Sequence, residues 1–169
     1  MALFYSNYEL YVSYKTKTEG AVLLLCSYMG YLMSISSFFS ELGVVLRSRE
    51  WSRGGISSVD GSVFLLVWQD EIKRRNGYNW AYLATVENVE SLDKPSLKER
   101  LDHIKLIKSG KRAFLIFCES KLLISGERVV STFNAERVYP IGEIVTYEKG
   151  LWAQYLTGIL VRDLRQTSR

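Results

Sequence analysis

The stretch Gly61–Arg75, GSVFLLVWQDEIKRR, limits this chain more than any other part of it. Val63 to Gln69 carries no charge across seven positions, and then Asp70, Glu71, Lys73, Arg74 and Arg75 fall within six. An apolar run of that length, rich in β-branched and aromatic residues and opened by Asp60-Gly61, reads as a buried strand over Ser62–Gln69. It delivers a mixed-charge cluster to one edge of the fold. A site, if there is one, belongs at that edge, around Gln69–Arg75.

Other elements are placed around this strand by the same reading. Ile35, Phe38, Phe39 and Leu42 make one helical stripe, with Ser34 to cap its start and Gly43 to end it. Asp60-Gly61 joins Ile56–Val59 to the central strand as a hairpin. Asn76-Gly77 marks a further turn before Asn79–Val86, which could pair with the central strand in antiparallel fashion. Asp93 and Pro95 open a second helix that runs to about Lys108, with Leu97, Leu101 and Ile104 as its buried stripe and Ile107 on the flank. Arg112–Cys118, Arg128–Phe133 and a hairpin of Ile144–Tyr147 with Leu151–Leu156 complete the strands, and Ile159–Arg162 extends that hairpin's second arm. Residues 3–14 read as an aromatic-rich strand. Hairpins dominate and no strand–helix alternation is sustained. The expected fold is α+β, a curved, mostly antiparallel sheet of about seven strands with a pair of helices.

Ala21–Ser40 holds no charge over twenty residues, the length of a membrane span. Ser34, Ser36, Ser37 and Ser40 crowd its second half, and the helical stripe from Ile35 cuts it in two. The remaining run, Ala21–Met33, is too short to cross. Glu9 and Glu19 precede it, which does not suit a secretory signal. The expectation is a cytoplasmic protein with no membrane span. Its body is a single domain over 33–169, and residues 1–32 are an N-terminal extension or docking segment. Cys26 and Cys118 both lie in apolar surroundings and read as small core residues of a reducing compartment.

Several chemistries are poorly served by this sequence. The single histidine, His103, would have to serve any serine or cysteine triad, and no Gly-x-Ser-x-Gly elbow is present. His103 sits on the flank of a helical stripe, as a partly buried structural histidine would. Two distant cysteines and one histidine make no zinc site of familiar spacing. Glycine-rich nucleotide loops are missing, and Ser109-Gly110-Lys111-Arg112 leads out of a helix, whereas a phosphate loop leads into one.

Glu71-x-Lys73 matches half of the Asp…Glu-x-Lys arrangement in which two carboxylates hold a divalent metal and lysine orients water. Asp60 would lie at the far end of the strand, roughly 35 Å away at about 3.3 Å per residue. With this composition about one Glu-x-Lys arises by chance; the chain has two, the other being Glu119-Ser120-Lys121.

The net charge is +4. Lys73, Arg74 and Arg75 form one basic group and Lys105, Lys108, Lys111 and Arg112 another, while Arg47, Arg49 and Arg53 bracket Trp51. Basic side chains neutralise phosphates and an exposed aromatic stacks on an unpaired base. Three readings follow. The first is a nucleic-acid-binding protein using Trp51, Arg53, Arg74, Arg75, Lys108, Lys111 and Arg112, with no cofactor. The second is a metal-dependent nuclease centred on Asp70, Glu71 and Lys73, the only reading that needs a divalent metal. The third is an interaction protein that forms a homodimer or docks through its Tyr-rich N-terminal segment.

Overall fold

Residues 33–48, 52–85 and 94–164 are described by the structure, a computed structural model. The strand expected at 3–14, the segment 1–32, Arg49, Trp51 and the Asp93 cap lie outside those residues. Among the described residues the fold is α+β, as expected: nine strands in one mixed, mostly antiparallel sheet, with three helices. No described helix is long and apolar enough to cross a membrane.

Helix α1 is Ile35–Glu41, and the Ser34 hydroxyl accepts the Ser37 N–H at 3.1 Å in the cap expected of it. Phe38, Phe39 and Leu42 are buried, and Gly43 leaves the helix at φ +74°. Strand β1 (Gly54–Ile56) runs antiparallel to β2 (Val63–Trp68). From there the structure departs from the expected hairpin. Strand β2 does not pair with the strand that follows Asn76-Gly77. It pairs in parallel with β5 (Ala113–Leu122), from Val63 opposite Ala113 to Trp68 opposite Cys118. The apolar run is continuous because a parallel pair is covered on both faces.

The charged cluster is divided rather than left as a strand end. Gln69 to Glu71 form a turn, and Ile72–Arg75 form strand β3. The Asn76-Gly77 turn, with φ of +52° and +81°, then returns the chain as β4 (Tyr78–Thr85). Positive φ at both central residues is the twist a two-residue hairpin needs. Helix α2 (Pro95–Lys108) completes the crossover from β4 to β5. Strands β6 (Arg128–Phe133), β7 (Arg137–Tyr147) and β8 (Gly150–Tyr155) follow; β6 and β7 each pair with β5, and β8 pairs with β7, all antiparallel. The sheet order is β1-β2-β5-β7-β8-β4-β3, with β6 also on β5. Residues 159–162 do not extend β8: β9 (Ile159–Leu160) pairs with the start of β7, and α3 is the single turn Val161–Leu164.

The sheet curls enough for β4 to touch β2. One core results, made from Val63, Leu65, Val67 and Leu115 on the parallel pair, Ala81 and Leu83 on β4, Leu151 and Ala153 on β8, and Ile104 on α2. The other face of the parallel pair stacks Phe64 on Phe114 at 5.2 Å. Cys118 is buried there, and burial pushes its thiol up to about 12.

Helix α2 also turns polar groups inward, beyond its apolar stripe. Arg100 donates to the carbonyls of Leu66 at 2.7 Å and Arg53 at 3.1 Å, which ties the helix to β2. Glu99 is buried and accepts the Ser52 hydroxyl at 3.0 Å. His103 is buried beside them, and burial, with the charges of Arg100 and Arg47, pushes its pKa down to about 4. Between pH 4 and the ordinary histidine value of about 6.5 the unfolded chain therefore binds a proton that the folded chain does not. Stability from this group is present above that window and lost as pH falls through it. Denaturant melts should show the advantage of wild type over His103→Gln growing from pH 4 to 6.5. A constant difference across that range would place His103 in water.

Candidate functional site

The turn between β2 and β3 is organised by one arginine. Arg128, at the start of β6, donates from Nη2 to both oxygens of Asp70, at 2.6 and 2.8 Å, and from Nη1 to Glu71 Oε1 at 2.7 Å. Nη2 also reaches the Ser120 hydroxyl at 3.1 Å, and the guanidinium lies 4.6 Å from the centre of the Trp68 ring. Trp68, at the end of the apolar run, is thus half-buried under a cation rather than deep in the core. Charge-assisted, two-pronged bonds of this kind are directional, so Arg128 sets where both carboxylates point.

Beyond the turn, alternation separates the two faces of β3. Ile72 faces the core with Ala81, Ala153 and Ile144. Lys73 lies opposite Trp80, Tyr82 opposite Trp152, and Trp152 opposite Val145, all on the outer face. Small residues inward and aromatic residues outward give this part of the sheet an aromatic floor. Gly150 is required beneath it: a Cβ there would lie 2.5 Å from the Tyr82 ring. Tyr82 meets Trp152 edge-on at 5.2 Å, and the Trp152 indole donates to the Tyr147 carbonyl at 2.9 Å.

Two cations cover that floor. The Arg75 guanidinium sits 4.0 Å from the centre of the Tyr147 ring, and Lys73 Nζ sits 4.9 Å from that of Trp152. Lys73 also pairs with Glu148 at 2.5 Å, and the Tyr147 hydroxyl donates to the same carboxylate at 2.6 Å. Those bonds hold Glu148 below the usual carboxylate pKa, Lys73 first and Tyr147 second. They also brace a tight turn in which Glu148 and Lys149 have φ of +45° and +63° without glycine. Next to this face an open cleft of about 400 Å³ is lined by Asp70, Glu71, Ile72, Lys73, Tyr82 and Trp152.

The remaining residues singled out from sequence lie elsewhere. Arg74 is exposed on β3 but alternates away from Lys73 and Arg75. Arg53 is half-buried where α2 meets β1 and β2, and its carbonyl receives Arg100. Lys108 ends α2, and Lys111 and Arg112 lead into β5. Arg112 donates to the Ser62 hydroxyl at 3.0 Å and pairs with Asp60. That end of the β2–β5 pair is separated from Asp70 by the six-residue β2, roughly 20 Å at about 3.3 Å per residue. The two basic groups therefore do not meet, and Asp60 stands far from Glu71. Among the described residues no three His, Cys, Asp or Glu side chains are grouped to hold a metal.

Trp80, Tyr82, Arg128, Tyr147, Glu148 and Trp152 were not singled out from the sequence. The legible signal was Tyr78-x-Trp80-Ala81-Tyr82, aromatic at every second position with a small residue between.

Removing Arg128 would leave two carboxylates side by side without their shared donor. Both carboxylates can turn to water, so Arg128→Ala should destabilise the fold by only about 1 kcal/mol. Asp70→Asn combined with Arg128→Ala should cost less than the two separate losses added together. Strictly additive melts would mean that the cluster contributes nothing as a unit.

No family model, curated protein or solved structure matches this chain.

Proposed function

We propose that this protein binds single-stranded nucleic acid on the outer face of β3, β4, β8 and β7. The observation that carries the reading is Arg75 stacked on Tyr147 beside Lys73 over Trp152, on a face that also presents Trp80. A guanidinium already lying on a tyrosine offers its second face to a base, and its N–H groups remain directed at phosphate. The half-exposed Trp80 and the 56% exposed Tyr78 extend the stacking surface along β4. Lys73 and Arg75 supply the charge on that face. The nuclease reading has no observation in its favour, since Asp70 and Glu71 are both held by Arg128.

Two phosphate contacts on a single strand give a slope of about −1.4 for log affinity against log salt, roughly a sevenfold loss over a fourfold rise in salt. Fluorescence anisotropy with a labelled oligothymidylate should show this slope. Arg75→Ala or Tyr147→Ala should weaken binding by about tenfold, on the scale of one lost stack. Glu148→Gln should strengthen it, because the carboxylate occupies the lysine and the phenol that a phosphate would take. Salt-independent binding, or full affinity in the Arg75 and Tyr147 variants, would contradict the proposal.

A further inference from the structure

We propose that the cleft beside this face reads guanine, an inference that rests on the single-strand reading and deepens it. The cleft, about 400 Å³, is open to solvent, so it can receive the edge of a base without enclosing it. It shares Lys73 and Trp152 with the cation-covered face, so a strand lying on that face brings a base to the cleft's mouth. The half-buried Tyr82 ring is the aromatic surface a base can pack against, with the buried Trp152 meeting it edge-on. The same cleft is lined by acceptors: Arg128 holds Glu71 through Oε1 alone, and no bond from a described residue reaches Oε2. Each oxygen of Asp70 takes one Arg128 bond, which leaves further lone-pair directions open.

Ionised carboxylates accept and never donate. The Watson–Crick edge of guanine places two donors side by side, N1–H and the 2-amino group, matched to the two oxygens of a carboxylate. Adenine and cytosine each set a donor beside an acceptor there, and thymine flanks its one donor with acceptors. Those three edges leave at least one carboxylate oxygen facing another acceptor. Lys73, on the cleft wall, adds a donor for the guanine O6 or N7. Arg128 is a positioning residue here, fixing the carboxylates without touching the base.

The test compares a thymidylate strand of about ten nucleotides with the same strand carrying one central guanine or one central inosine, which lacks the 2-amino group. Wild type should bind the guanine strand about tenfold more tightly than thymidylate, the scale of one good two-bond contact, and inosine should give back most of that gain. In Glu71→Gln the ratio of guanine strand to thymidylate should fall towards one. Equal affinity of wild type for all three strands would overturn the inference and leave single-strand binding standing. Failure to bind any strand would overturn the proposed function. Free guanosine and inosine, titrated against the Trp152 indole NMR signal, would then decide the cleft by themselves. A guanosine-specific shift supports it, and no shift, or equal shifts, overturns it.

Discussion

The parallel pairing of β2 with β5 is the interaction on which the rest of the structure depends. Six residues on each strand run side by side, and nearly all are buried. Burying both faces needs cover on both. The curl of the sheet and helix α2 cover one side, where β4 and β8 join the same core. Deleting one leucine from such a centre, for example at the fully buried Leu115, costs about 3–5 kcal/mol. No peripheral contact described here approaches that value.

The candidate site is a product of this constraint. A parallel partner cannot be reached by a tight turn, so the chain must cross over between β2 and β5. The crossover here contains the β3–β4 hairpin as well as α2. That hairpin carries Lys73 and Arg75 onto the outer face, where β8 and β7 add Trp152 and Tyr147. The turn that opens the crossover holds Asp70 and Glu71, and Arg128 from β6 fixes it. Acceptors in the cleft and cations on the face thus come from one short segment, Asp70 to Arg75.

Much of the local structure was legible in the sequence. The α1 stripe with its Ser34 cap, the extent of α2 and the Asn76-Gly77 turn each follow from spacing and turn chemistry within a few residues. The pairing of β2 was not legible in the same way. An uninterrupted apolar run says that both faces are buried but does not name the partner, and the next strand in sequence was the natural candidate. The charged cluster misled for a related reason. Lys73 and Arg75 alternate with Ile72 on a short edge strand, and four residues are too few to show a period against so many charges. Arg128 and Glu148 could not be found from sequence. Each acts on residues more than fifty positions away, and only the sheet brings them together.

The most direct test of the account is an NMR titration of the indole N–H signals with oligothymidylate. The four tryptophans are four separate probes. Trp80 and Trp152 lie on the cation-covered face, and Trp68 lies beneath Arg128 at the end of β2. The account predicts that the Trp80 and Trp152 signals shift together as the strand binds, while Trp68 stays in place. Binding that moves Trp68 or Trp51 and leaves Trp80 and Trp152 unchanged would contradict it.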